Sequence, residues 1–509
     1  MQKTFLITLS LAAFFHAVSA WGQLPGQASS SSAETRAVQV PLSGRTGQTG
    51  SVNATQTPVP GTTSSVNTLN TTVQAQGPYA GSVSSTARMP FSGALGLREA
   101  VRRGVAFNLG AVGLAQAVRQ AHGQERVARS VLLPNLSGGL REVEQQTYLR
   151  AFGIQVPFIP AVVGPFNYFD LRATLTQNIV DFSAINNYRS AQEARHANEL
   201  SLNDARDLVA LAVGGAYLQA IAAQARVDAE RAQIESAKAL YKQTQERRQA
   251  GLAAQIEVNQ NLVQLQTQQQ RLATLENDLA KQKINLARLT GLPPTNQYQL
   301  TDQVPYADAP LLPIEDALKQ AFDSRADLQA ASKQLLAAER SRSAARAERY
   351  PSLAVNADYG AIGLRPTQAH GTFSVTGTLR IPIWAGGRAE GDIEQAQAAW
   401  DQRRAEFEDT RSRIESDVRN ALFDLQAAAS QVEVSRSNRQ VARDTLQLTR
   451  QRFEAGVTDT VEVVQSEATV ASADLDYITS LFAHNLAKLS LARALGNTET
   501  RLPQFLKVQ

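Results

Sequence analysis

The sequence predicts a mixed α+β fold, mostly α, built from a unit of helix, β-hairpin, very long helix and helix that occurs twice. Three observations carry this. Short motifs recur in matching order in the two halves. Paired segments alternate apolar and polar residues with strict period two. Two proline-free stretches are longer than a globular domain needs.

The repeat comes first because it sets the fold. Glu99-Ala100-Val101 matches Asp316-Ala317-Leu318, and Leu133-Pro134-Asn135-Leu136 matches Tyr350-Pro351-Ser352-Leu353. Ala173-Thr174-Leu175 matches Gly377-Thr378-Leu379, and Gly291-Leu292 matches Gly496-Asn497. Ala250-Gly251-Leu252 with Glu257-Val258 matches Ala455-Gly456-Val457 with Glu462-Val463. The register shifts once, inside each hairpin. Ala151 to Phe166 holds most of the surplus in the first copy, which places a loop there.

Residues 1–20 read as a secretory signal peptide. Lys3 precedes a short apolar run from Phe5 to Phe15, and Val18-Ser19-Ala20 offers small residues for cleavage. Residues 21–92 are rich in Ser, Thr, Gly, Gln and Pro and read as disordered and dispensable for folding. Residues 93–292 form the first structural repeat, and residues 293–313, with five prolines, a linker. Residues 314–498 form the second repeat and 499–509 a C-terminal tail.

Within the first repeat Leu97 to Ser130 reads as one helix, stopped ahead of Pro134. Phe169, Leu171, Ala173 and Leu175 then alternate with Asp170, Arg172, Thr174 and Thr176. In the second repeat Phe373, Val375, Gly377, Leu379 and Ile381 alternate with Thr and Ser positions and Arg380. Leu353, Val355, Ala357 and Tyr359 line its partner strand. Such strands have one apolar and one polar face. Ser183 to Gln249 follows without proline, roughly 100 Å if helical. Ala222, Ala225, Ala229 and Ala232 read as its seam. Leu265, Leu272, Leu279 and Leu286 repeat at sevens on the return helix, a coiled-coil pattern. Arg388 to Gln451 is the matching long helix.

Composition excludes several functions. Hydrophobic residues make up 43% and net charge is +4, with the basic residues dispersed, so no nucleic-acid footprint is expected. Cysteine is absent, which removes disulfides and thiolate metal sites. The histidines (16, 122, 196, 370 and 484) have no metal-ligand spacing, and no catalytic constellation or phosphate loop is present. No enzyme activity, cofactor or metal is expected. Beyond Ala20 no apolar run reads as a transmembrane helix, so a span would require a closed β-barrel. Four strands cannot close one. They are pooled from several chains, or they stay out of lipid. A secreted coiled-coil scaffold or adhesin is therefore the rival reading to a membrane duct.

The duplicated order, together with two junction motifs, resembles the TolC family of outer-membrane factors over residues 93 to 498. Leu175-Thr176-Gln177-Asn178-Ile179-Val180-Asp181 and Leu379 to Gly387 look like the family's strand-to-helix junctions. Phe453-Glu454-Ala455-Gly456-Val457-Thr458 with Val461 to Gln465 looks like its helix-tip turn. The resemblance implies a homotrimer with a 12-strand β-barrel in outer-membrane lipid and a 12-helix periplasmic α-barrel. It also implies an exit duct opened by a periplasmic adaptor (membrane fusion protein) and working with an inner-membrane pump in efflux or type I secretion.

Site residues follow from the same resemblance. Gly251, Leu252, Gly456 and Val457 are the tips that an adaptor would grip, and glycine there also serves as a helix cap. Glu257 and Glu462, with Gln465, Phe453 and Thr458, fall at the periplasmic entrance. Either acid would also serve as a first-turn helix residue, Glu462 behind an Asp459 cap. Arg247, Arg248, Arg450 and Arg452 read as cations at helix C-termini. The family's best-known member has a tyrosine, an arginine and an aspartate where this chain has Phe453, Thr458 and Gln465. Closure is therefore expected to rest on apolar packing and the coiled-coil seam. Phe169, Tyr359, Phe373 and Trp384 are candidates for an aromatic girdle.

Overall fold

A computed structural model describes residues 51–59, 68–83, 91, 93–154, 156–295, 297–302, 306–307, 312–496 and 498–506. The signal peptide lies outside the described residues. Helix α1 (Leu97–Phe107) and helix α2 (Leu109–Ser130) stand where one helix was expected. Asn108 separates them, its side-chain oxygen accepting from Gly110 N at 2.9 Å as an N-cap. Its amide nitrogen donates to the Tyr79 carbonyl at 2.7 Å. Strands β4 (Asn135–Tyr148) and β5 (Val162–Val180) follow, then the long α3 (Phe182–Gln249) and the returning α4 (Gln255–Thr290). The second half repeats the order. Helices α5 (Ile314–Ser324) and α6 (Ala326–Ala347) break at Arg325, and strands β7 (Ser352–Gly363) and β8 (His370–Arg380) lead to α7 (Arg388–Glu454) and α8 (Thr460–Leu495).

The sheet runs in the order β4-β5-β7-β8, antiparallel throughout. Its register aligns apolar residues in rows on one face. Gly138, Ala173, Tyr359 and Phe373 make one row, and Leu136, Leu175, Ala357 and Val375 another. Leu136, Tyr359, Phe373 and Val375 are all exposed. The other face is polar: Arg172 pairs with Asp170 at 3.2 Å, with Asp358, and with Thr372 at 3.3 Å. Strands β4 and β8 have no partner on their outer sides within this sheet. Of the girdle candidates, Tyr359 faces Phe373 directly, while Trp384 follows the end of β8 on the helix side.

Part of α3 is apolar enough to cross a membrane by length and composition, but it is largely buried in protein. Val209, Val213 and Tyr217 of α3 pack with Leu486 and Leu489 of α8 and Leu286 of α4 in the largest core. A second core joins α5, α7 and α8 around Ile414, Leu425 and Leu491.

Three expectations are corrected. The segment 21–92 contains a hairpin, β1 (Val52–Val59) with β2 (Thr68–Ala75), and Val52, Val73 and Tyr79 pack in or against the main core. Gly215 of α3 makes this close approach practicable: a Cβ there would lie 2.4 Å from Val73 Cγ2. The rest of 21–92, beyond 51–59, 68–83 and residue 91, lies outside the described residues. Within 293–313, β6 (Gln299–Leu300) pairs in parallel with β3 (Ala94–Leu95). Most of the supposed tail is helix α9 (Thr498–Leu506), whose Leu502 and Leu506 enter the core. The seam is also corrected. Ala223, Val227, Glu230, Ile234, Ala237, Leu240 and Thr244 are the buried line of α3, whereas Ala225, Ala229 and Ala232 lie off it. Leu265, Leu279 and Leu286 are buried as the sevens pattern predicts.

Candidate helix-tip entrance

Helices α3 and α7 end in the same turn. Gly251 and Gly456 both take φ +74°, a left-handed conformation that glycine adopts without a Cβ penalty. The Leu252 and Val457 amides donate back to the Arg247 and Arg452 carbonyls at 2.7 and 2.9 Å. These bonds satisfy carbonyls that the helix end leaves over, in the Schellman pattern. Leu252, Ile256, Val457 and Val461 then stand exposed, an apolar crest on each turn.

The two acids behind the turns are held differently. The Asp459 carboxylate caps α8 by accepting Glu462 N at 3.1 Å. Glu462 in turn accepts from Arg452 at 2.8 Å and from the Thr458 hydroxyl, so its bonds stay within its own turn. Glu257 accepts the Ala254 amide at 3.2 Å with one oxygen and the Thr460 hydroxyl at 3.0 Å with the other. It therefore ties the first turn to the second. Gln465 is exposed.

Phe453 does not face the solvent. It is buried with Leu240 and Val463, and the Arg247 guanidinium lies 4.5 Å from its ring centre. Arg247 thus does more than complement a helix end; it supplies a cation–π contact between α3 and α7.

Above the tips a polar link joins the two helical hairpins. Arg450 Nη2 lies 2.7 Å from Glu467 Oε1, an oxygen that the Ser236 hydroxyl also reaches at 3.3 Å. Arg450 also bonds Ser236 itself, and Glu467 is only 4% exposed. Farther along, Arg439 and Arg443 hold Asp474 at 2.5 and 2.9 Å. These ion pairs join α7 to α8, and Ser236 extends the network to α3, beside the apolar packing of the same helices. By sequence Arg450 reads as a helix-end cation, and Glu467 is not singled out. The signal was present. Val463, Glu467, Val470 and Asp474 follow three-and-four spacing, which puts two acids on an apolar stripe.

A third buried acid lies on the α3 seam. Glu230 is 3% exposed, one of its oxygens has no hydrogen-bond partner, and Arg271 approaches at 3.5 Å. Burial pushes its carboxyl above the usual carboxylate range, and Arg271 offsets only part of that.

The model of the outer membrane efflux protein family matches residues 113–292 and 317–497. The chain belongs to that family. Its members are not enzymes, and membership sets the location, the outer membrane with the helical part in the periplasm. The secreted-scaffold reading is thereby set aside. The pyoverdine export outer membrane protein OpmQ of Pseudomonas putida is 25% identical over 288 residues, 56% of this chain and 61% of that one. The chain thus spans about three-fifths of the length of the curated relatives it matches. The Campylobacter jejuni CmeC outer membrane channel superposes with TM-score 0.69 at 18% identity, covering 81% of this chain and 89% of that one. The outer membrane protein VceC of Vibrio cholerae gives 0.67 at 18%, covering 79% and 96%. At such identity these structures speak for the fold alone.

Proposed function

We propose that the protein is the protomer of a homotrimeric exit duct. Three four-stranded sheets close a twelve-strand barrel in outer-membrane lipid, and twelve helices continue it as a periplasmic α-barrel. The observation that carries this is the sheet with two open edges and one exposed apolar face. Open strand edges cannot lie in hydrocarbon, where every backbone N–H and C=O needs a partner. Pairing β4 of one copy with β8 of the next removes both edges, and three copies reach twelve strands, above the eight at which single-chain barrels begin. The apolar rows through Leu136, Tyr359 and Phe373 then meet lipid, and the Arg172 cluster lines the lumen.

The helix tips are the closed end. The apolar crests at Leu252 and Val457 are the docking points for a periplasmic adaptor, which couples the duct to an inner-membrane pump. Docking opens the tips against the Thr460–Glu257 and Arg450–Glu467 links. Glu257 and Glu462, tripled by the symmetry axis, favour cations at the entrance. The likeness to a pyoverdine export protein supports small molecules as cargo. Mass measurement in mild detergent, paired with conductance in planar bilayers, tests the reading. Three chains per particle and a conducting pore are expected; a stable, non-conducting monomer would overturn it.

A further inference from the structure

The β4–β5 hairpin is longer than the β7–β8 hairpin, and its far end is unlike the rest of the sheet. Pairing of β5 with β7 ends at Phe169–Gly363, yet β5 continues to Val162, paired with β4 as far as Tyr148. This leaves a two-stranded ribbon of about 20 Å with no neighbour in the sheet. Its tip is compact. Leu149 N donates to the Ala161 carbonyl at 2.9 Å, and a 3₁₀ turn, Leu149–Phe152, ends at Gly153 in the left-handed region.

That tip is strongly apolar although none of the described residues covers it. Phe152, Ile154, Val156, Phe158 and Ile159 are all exposed, Phe158 completely. Phe158 also holds φ +80°, a conformation that a bulky side chain rarely takes. Arg150 is the only charged residue between Tyr148 and Val163. A polar stretch, Glu142 to Gln146, separates the tip from the apolar rows of the sheet. Glu142 and Glu144 alternate with the strand so that they share the face of Leu136 and Leu140, where they would repel an anionic membrane surface.

We propose that the partner of this tip is a second copy of itself: in the trimer the three tips fold over the external mouth and pack together on the threefold axis as a cap. This rests on the exit-duct reading. Reach supports it. Twelve strands about 4.8 Å apart and tilted by about 40° give a barrel radius of about 12 Å, shorter than the ribbon. A bend is built in as well. The β4–β5 register shifts between Gln145 and Thr147, beside Gly164 at φ +114°, and such a bulge turns a ribbon and sharpens its twist. Three identical apolar tips meeting on an axis shield one another from water without any further partner.

The chain has no cysteine, so a single Phe158→Cys is a clean reporter. In intact trimers, mild oxidation should convert up to two chains in three to disulfide-linked dimers, the most that three thiols on one axis allow. Phe152→Ser with Ile159→Ser should raise single-channel conductance at least twofold while the trimer persists. A trimer in which Phe158→Cys stays monomeric on a denaturing gel overturns the proposal. So does quenching of a Phe158→Trp variant by brominated lipid, which would assign the tip to the membrane. Loss of the trimer in the unaltered protein would instead overturn the exit-duct reading, and the cap with it.

Discussion

The Thr460 hydroxyl donates to Glu257 Oε2 at 3.0 Å, joining two tips 203 residues apart in sequence. Thr460 is buried and Glu257 only partly so, which makes this a directed bond rather than a surface encounter. A hydrogen bond to a charged acceptor is worth about 2 kcal/mol. Thr460→Val keeps the shape and removes the donor. The expected result is an unchanged trimer with higher resting conductance in planar bilayers, reversed in Thr460→Ser.

The Arg450–Glu467 pair should act in the same direction and more strongly. Removing one partner of a buried pair leaves an uncompensated charge, at about 3 kcal/mol or more. Arg450 is itself 45% exposed, so water will take up part of that. Arg450→Ala should lower the thermal midpoint and raise resting conductance. Arg450→Ala with Glu467→Gln should recover part of the stability, since no lone carboxylate remains. A double variant no better than the single one would mean that the Ser236 contact, not the charge, carries the link.

The Val73–Gly215 contact shows where sequence reading reached its limit. The long helices, the hairpins and the glycine turns were legible because each leaves a periodic or conformational signature. The β1–β2 hairpin left none, because its anchoring surface is the bare backbone at Gly215, far away in the chain. Composition averaged over 21–92 hid Val52, Val73 and Tyr79 among polar residues. At the tips, Gly251 and Gly456 were legible, whereas the partners of Glu257 and Glu467 were not, since pairing across hairpins depends on register between helices. Gly215→Ala should gain up to about 1 kcal/mol of helix propensity but lose about 1–3 kcal/mol to overpacking against Val73. A lower thermal midpoint is expected. Gly113→Ala, on a helix with nothing within 4 Å of the new Cβ, should show the propensity gain alone.

Glu230 gives the protein a pH dependence of known sign. Its carboxyl titrates above the ordinary value in the folded state, so the folded state holds the proton over a window where the unfolded chain has released it. Stability therefore falls as pH rises through that window and is at its lowest from this source above it. Glu230→Gln should raise the thermal midpoint at neutral pH. The gain should shrink as pH falls towards about 4.3, the value of an unburied glutamate. A gain of equal size at all pH values would show that packing, not ionisation, is responsible.

The crests bear on docking and can be separated from folding. A Cβ on Gly456 would meet nothing within 4 Å, so the cost of substitution there is conformational, from φ +74°. Such a change confuses turn geometry with contact. Leu252 and Val457 avoid that problem: both are well exposed, neither holds its turn through its side chain, and each turn is closed by backbone bonds. Surface positions of this kind usually shift stability by less than about 0.5 kcal/mol. Leu252→Asp with Val457→Asp should leave trimer mass, thermal midpoint and bilayer conductance unchanged. Export by the assembled system should fall at least tenfold, because docking would bury two carboxylates without partners, a desolvation cost of several kcal/mol. If export persists in the double variant, the adaptor grips the duct elsewhere. If trimer or midpoint is lost, the crests belong to the protein's own packing and not to a docking surface.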